Sequence, residues 1–404
     1  MKNKILWSSF GFLIVALFCN SYDLFNFRKR KCPTYKPLHF EITFSHRQQC
    51  FQSVSEGPGP SKAYINLNTV EEINYRGYDA RTYTILSKDG YYTAVYRISG
   101  GKNSPPRKGK KSVLIFHGYG ASAKSWIIQP GSRNLAFTLV DAGYEVWLGN
   151  MRGTTPSKNH THLNADKDLE YWKFGVESMS TLDLPPLVDL ILRETETDKL
   201  YYACHSWGCG MYTAALVDVP ELNNKFKAGF FLAPSVFFGS VYNPIMVLFP
   251  PVTGTPLESL LFWLLRGKVN GEPNAIATSL GLVTEKICEW SYLRCGICDN
   301  ILFAIYGTDP EQLDYAELPN IMKKLQDNGA LNIAYHAHQI DTNCNFQRYD
   351  FGPGQNLLKY GTTKPPSYNL SGISVPTYIF HAEKDNFVTP WDSEERGMRF
   401  HLSI

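Results

Sequence analysis

Residues 199–216, KLYYACHSWGCGMYTAAL, carry a serine where an apolar strand pattern gives way to a helical one. A serine hydroxyl is a weak nucleophile at neutral pH. It becomes effective beside an imidazole that is itself held by a carboxylate, with two amide donors facing the oxygen on which charge develops. A strand–turn–helix with the pattern G-x-S-x-G presents such a serine at the tip of a strained turn. Here the pattern reads Cys204-His205-Ser206-Trp207-Gly208, with cysteine at the first glycine position. Cysteine is small enough for the close strand–helix approach, Gly208 leaves room for the helix, and the helix N-terminus favours negative charge. Ser206 is therefore the candidate nucleophile and the Trp207 amide one oxyanion donor. The second is the Tyr119 amide in the loop FHGYGASA, where Gly118 gives backbone freedom. The candidate carboxylate is Asp385, after the apolar run VPTYIF; serine before acid is the order expected of this architecture.

These positions need a scaffold, and the surrounding pattern supplies one. A capped helix starts at Asn68 or Thr69. ARTYTILSKDGYYTAVYRIS alternates with period two around Lys88-Asp89-Gly90, a hairpin signal. KKSVLIFHGYG, then GYEVWLGNMRG, KLYYACHS, KAGFFLAPS and VPTYIFHAEKD read as buried strands, separated by helical stretches such as AFTLVDAG and LDLPPLVDLILRET. Strands alternating with helices imply an α/β fold with a mostly parallel sheet covered on both faces. His117, Asn150, Ser206, Ala233 and Asp385 then fall at the carboxyl ends of strands, where such sheets place their chemistry. Over residues 237–346 the strand rhythm stops. NPIMVLFPPVTGTPLESLLFWLLRG is apolar and broken by prolines, as expected of a helical insertion over the active face.

The 404 residues are 44% hydrophobic and 19% charged, with a formal net charge of +3. That balance suits a large core and argues against a nucleic-acid or polyanionic partner; the basic run Arg28-Lys29-Arg30-Lys31 reads as a solvated segment. Residues 1–21 read as a cleaved signal peptide: Lys2 and Lys4 precede an apolar run at 5–19 that is short for a membrane span. Residues 22–62, with Pro58-Gly59-Pro60, form an extension. Nine cysteines fit an oxidising compartment. Cys288, Cys295 and Cys298 lie close together, so a disulfide between two of them is expected, and Cys32 could pair with Cys50. Cys204 and Cys209 read as small buried residues. Zinc is disfavoured because no histidine pair sits nearby at metal spacing, and serine chemistry implies no cofactor. Asn159-His160-Thr161 and Asn369-Leu370-Ser371 are glycosylation sequons.

Co-linear motifs from about residue 68 to 392 extend the reading: VEEINYRGY, SKDGYYTAVYRI, FHGYGASAKSWI, LAFTLVDAGYEVWLGNMRG, LDLPPLVDLIL, KLYYACHSWG, FLAPS, CDNILFAIYG, YDFGPGQNLLKYG and PPSYNLSGISVPTYIFHAEKD. In this order the chain closely resembles the acid lipases, the gastric and lysosomal lipases with their insect relatives. The resemblance implies an α/β-hydrolase core at 63–236 and 347–404, a helical cap at 237–346, and hydrolysis of neutral lipid esters, triacylglycerols or sterol esters, at a droplet or micelle surface. It implies a secreted or lysosomal protein. It carries over Ser206 as nucleophile, Asp385 as triad acid, Tyr119 and Trp207 as oxyanion-hole positions, Cys288–Cys298 as a disulfide, and Asn369 as a family glycosylation position. Cys204 and Trp207 depart from the family pattern. So does the segment after Asp385, where the resemblance implies a triad histidine beyond a helix and a further strand. His401 follows an expected helix at 391–399 and falls at the wrong end of the sheet. The sequence thus reads as a shortened family member, with an inactive lipid-binding relative or a truncated product as the alternative.

Overall fold

The structure, a computed structural model, describes residues 50, 67–129, 134–236, 256–269, 295, 298–385 and 387–388. The signal peptide expected at 1–21, the basic run, Cys32, Cys288, His401 and the helix expected at 391–399 lie outside these residues.

Among the described residues nine strands are numbered in chain order: β1 (Tyr78–Leu86), β2 (Tyr92–Gly101), β3 (Ser112–Phe116), β4 (Glu145–Gly149), β5 (Leu200–His205), β6 (Phe226–Leu232), β7 (Lys268–Val269), β8 (Gly329–Ala330) and β9 (Thr377–Phe380). Seven of them form one sheet in the order β1-β2-β4-β3-β5-β6-β9. The β1–β2 and β2–β4 pairs are antiparallel, and the remaining pairs, from β4 through β3, β5 and β6 to β9, are parallel. The expected hairpin is present. Its loop is fixed by the Ser87 amide donating to the Tyr91 carbonyl and by Gly90 at φ +95°.

The central strands are buried on both faces, which is why they read as continuous apolar runs rather than alternating ones. Alternate residues serve separate cores. Leu114, Phe116, Trp147, Tyr202 and Cys204 face one layer of helices; Val113, Ile115, Val146, Leu148 and Ala203 face the other. The second layer holds α1 (Thr69–Tyr75) and α2 (Leu135–Asp141). Helix α1 starts with a capping box in which Asn68 and Glu71 satisfy each other's backbone amides. The first layer holds α3 (Leu184–Thr195) and α4 (Trp207–Asp218). Helix α3 buries Leu184, Leu187, Val188 and Ile191, the stripe a 3.6-residue period dictates. Helix α4 is buried at every position from Trp207 to Leu216, so it shows no polar face.

Between β6 and β9 the described residues are mainly helical: α5 (Pro256–Leu264), α6 (Asp299–Tyr306), α7 (Leu318–Lys324), α8 (Leu331–Asn343) and α9 (Pro353–Tyr360), with β7 and β8 as a two-residue antiparallel pair. The α7–β8 stretch is pinned to the loop after β3. The Tyr119 hydroxyl donates to the Ala330 carbonyl at 3.1 Å, and the Asp327 amide donates to the Gly120 carbonyl at 2.6 Å. Lys324 pairs with the buried Glu72 of α1 at 2.7 Å.

The cysteines correct the reading of the sequence. Cys50 bonds to Cys295, not to Cys32. Cys204 and Cys209 are buried as expected but are joined to each other, because the turn folds the start of α4 back to a Cα separation of 5.2 Å from the end of β5. Cys298 is disulfide-bonded. Asn159 and Asn369 are both exposed. Among the described residues no helix is long and apolar enough to cross a membrane, and no cluster of His, Cys, Asp or Glu has metal-site geometry.

Candidate active site

Ser206 caps the junction of β5 and α4 with φ 52° and ψ −120°, a region that non-glycine residues seldom occupy. Its neighbours over-determine this conformation. The Ser206 amide donates to the Leu232 carbonyl at 3.1 Å, while the Ser206 carbonyl accepts from Cys209 at 3.0 Å and Ser235 at 3.2 Å. The Cys204–Cys209 bond spans the same turn. Gly208 is required by contact: a Cβ there would lie 2.7 Å from the His117 carbonyl oxygen. Gly118 is required likewise, since its Cβ would lie 2.9 Å from both the Ser206 Cβ and the His205 ring.

The loop after β3 is oriented by His117. The Met151 amide donates to His117 Nε2 at 3.1 Å, so the ring proton sits on Nδ1 and is donated to the Gly118 carbonyl at 2.8 Å. A trans peptide points its C=O and N–H in opposite directions. Fixing the Gly118 carbonyl therefore fixes the Tyr119 amide, which makes no hydrogen bond among the described residues. Asn150, at the end of β4, braces the same loop by accepting from the Ala123 amide at 2.9 Å. Trp207 is the first residue of α4, at its positive end. The Trp207 indole is buried, with its centroid 5.9 Å from that of the His336 ring on α8.

Asp385 follows β9. Its carboxylate accepts from the amides of Phe387 at 2.7 Å and Val388 at 3.0 Å. Burial raises the carboxyl above its ordinary range, and the two amides oppose that shift. A cleft bounded by Tyr306, Gly307, Asp309 and Lys384 opens beside it. The sheet order sets Tyr119 on one side of Ser206, and Ser235 and Asp385 on the other.

Residues 111–396 match the alpha/beta hydrolase fold family, and residues 69–130 match the partial alpha/beta-hydrolase lipase region. Lipase member K of Homo sapiens is 34% identical over 331 residues, covering 81% of this chain and 80% of its own length. The chain belongs to the α/β-hydrolase lipase family. Gastric triacylglycerol lipase of Rattus norvegicus is 32% identical over 336 residues, covering 83% of this chain and 82% of its own.

In this lipase Tyr119, Ser206, Trp207 and Asp385 all follow the carboxyl ends of parallel strands. No histidine reaches Ser206 or Asp385 among the described residues. The Ser206 hydroxyl bonds to Ser235, and Asp385 to backbone amides. His117 has both ring nitrogens committed, and His336 Nε2 bonds the Gln347 carbonyl at 2.7 Å. Two contributors were missed by sequence reasoning. The sequence places His117 at a strand end without assigning it a role, although its place directly before the flexible Gly118 is the signal for an orienting one. Ser235 lies in FLAPS, a hydroxyl just past a strand end, and nothing in the spacing marks it.

Burial pushes His117 and His336 down to about 4. The folded protein keeps both neutral where the unfolded chain, with an ordinary histidine value near 6.5, takes up protons. Their contribution to stability is thus complete above about pH 6.5 and is lost on acidification towards pH 4. The slope is about 1.4 kcal/mol per pH unit for each histidine. Urea midpoints measured from pH 7 to 4 should fall more steeply for the wild type than for His336→Gln. Parallel curves would show that His336 is not held neutral.

Proposed function

We propose that the lipase cleaves the carboxylic esters of neutral lipids, triacylglycerols or sterol esters, with Ser206 as nucleophile, the amides of Tyr119 and Trp207 as oxyanion donors and Asp385 as the acid that orients the general base. The observation that carries this reading is the strained Ser206 turn, held by the bonds around its backbone and faced by the His117-oriented loop. In the first step Ser206 Oγ bonds to the acyl carbon and its proton passes to an imidazole base. The alcohol leaves with that proton, and water then releases the acid. A developing oxyanion between the Tyr119 amide and the positive end of α4 is stabilised without reorganisation. The names of the gastric triacylglycerol lipases support the substrate class.

Residues 237–346 act as a cap. Four residues on one side of α5, Leu257, Leu260, Trp263 and Leu264, are between 46% and 62% exposed, which suits work at a droplet or micelle surface. Secretory entry through residues 1–21 agrees with the disulfides, and leads to a secreted or lysosomal protein glycosylated at Asn159 and Asn369. Cys298 pairs with Cys288.

The test uses the full chain purified from a secretory host. Fatty-acid release from a trioleoylglycerol emulsion and labelling by an alkyl fluorophosphonate, mapped to Ser206, are the expected results. A folded protein that binds the emulsion but neither releases acid nor takes the label would be an inactive lipid-binding relative.

A further inference from the structure

Ser235 is fully buried in the loop after β6, and its Oγ lies 2.8 Å from Ser206 Oγ. Its backbone amide also donates to the Ser206 carbonyl at 3.2 Å, so the two residues are joined through main chain and side chain at once. The loop is anchored on its far side by the Ala233 amide, which donates to the Phe380 carbonyl of β9 at 2.8 Å. Ala233 takes the left-handed conformation, φ 45°, where β6 turns into this loop. Ser235 is therefore held between β5 and β9, on the Asp385 side of the turn and away from the Tyr119 loop.

We propose that Ser235 is a positioning residue for Ser206, its hydroxyl holding the Ser206 Oγ on the side of the elbow that faces the acid-bearing strand. The inference rests on Ser206 being the nucleophile. A serine side chain has three staggered wells at χ1, and at the half-buried Ser206 turn a hydrogen bond to the Oγ favours one of them. The bond to Ser235 makes that choice before substrate arrives. A hydroxyl can donate one bond and accept two. With Ser235 donating, Ser206 keeps its own proton for a base and keeps a lone pair for attack. A buried Ser235 with no other side-chain partner among the described residues has no competing demand on that proton. Losing one neutral hydrogen bond and the rotamer choice together costs roughly five- to twentyfold in the rate of any reaction at Ser206 Oγ.

The experiment compares wild type, Ser235→Ala, Ser235→Thr and Ser235→Val. Its readouts are the second-order rate of alkyl fluorophosphonate labelling at Ser206 and kcat and KM on trioleoylglycerol. Ser235→Ala should label roughly tenfold more slowly, with kcat reduced in the same ratio and KM unchanged. Threonine and valine share one shape, and only threonine keeps the hydroxyl. Ser235→Thr should exceed Ser235→Val by that same factor even if the added methyl slows both. Equal rates for the threonine and valine variants, or wild-type labelling by Ser235→Ala, would overturn the proposal. A wild type that takes no label at Ser206 would instead overturn the nucleophile assignment itself, and the two failures are thereby distinct.

Discussion

Ser206→Ala is expected to lower kcat/KM on a triacylglycerol by about 10⁴-fold or more, and to lower the urea midpoint, because the buried Ser235 hydroxyl loses its partner. Alanine removes the attacking oxygen and keeps the Cβ, so the turn geometry at φ 52° and ψ −120° is as costly as before. Ser206→Gly separates the two roles. The dihedrals match the first central position of a type II′ turn, where glycine is the favoured residue. A non-glycine residue held in such a sparsely populated region costs about 1–3 kcal/mol, and glycine gives back about 0.5–1 kcal/mol through the entropy of the unfolded chain. Ser206→Gly loses the same hydrogen bond, so it should be equally inactive and more stable than Ser206→Ala, by about 1 kcal/mol, read as a higher urea midpoint at unchanged slope. A glycine variant no more stable than the alanine one would show that the turn is not strained in solution.

The largest effect on stability is expected at Arg152, just past the end of β4. Its side chain is fully buried. It donates from Nε and Nη2 to Asp183 at 2.7 and 2.5 Å, and from Nη1 and Nη2 to Asp89 at 2.6 and 3.0 Å. The guanidinium also lies 4.0 Å from the centroid of the Tyr91 ring. Asp183 is buried, and burial pushes its carboxyl above the ordinary range even with the arginine present. Arg152→Met fills much of the volume but strands that carboxylate, at a cost of about 3–5 kcal/mol. The double variant Arg152→Met with Asp183→Leu should recover most of the loss, since two apolar groups need no partner. Denaturant unfolding of the two single variants and the double one gives the coupling. If the double variant is no better than Arg152→Met alone, the loss comes from the Asp89 and Tyr91 contacts instead. A secondary effect on turnover is expected, because Asn150, two residues earlier, braces the loop that carries Tyr119.

The parts of this molecule that could be read from the sequence are those governed by local periodicity. Runs such as VLIF in β3 and VWLG in β4 are apolar at successive positions because their strands are covered on both faces. The hairpin around Gly90 and the capping box at Asn68 are likewise short-range effects, and each was found where its residues predicted it. What depended on through-space geometry was missed or read differently. Cys204 and Cys209 looked like small core residues because nothing in a five-residue spacing reveals that the intervening turn brings them together. The tautomer of His117 is set by the Met151 amide, which arrives from another strand end, 34 positions away in sequence. Ser235 meets Ser206 across 29 positions through the same kind of juxtaposition. Functional contacts of this sort are made where separate strand ends meet, and no window of sequence contains both partners.

The Cys50–Cys295 bond joins positions 245 residues apart, and thereby closes most of the sheet into a covalent ring. A protease that nicks a surface turn inside that ring, such as the exposed stretch around Lys102 and Asn103, releases no fragment. The nicked molecule keeps its apparent size on a non-reducing gel and separates into two bands only after a thiol is added. Preparations judged intact by gel filtration or a non-reducing gel can therefore be mixtures of whole and nicked chains, and reduction separates the two species.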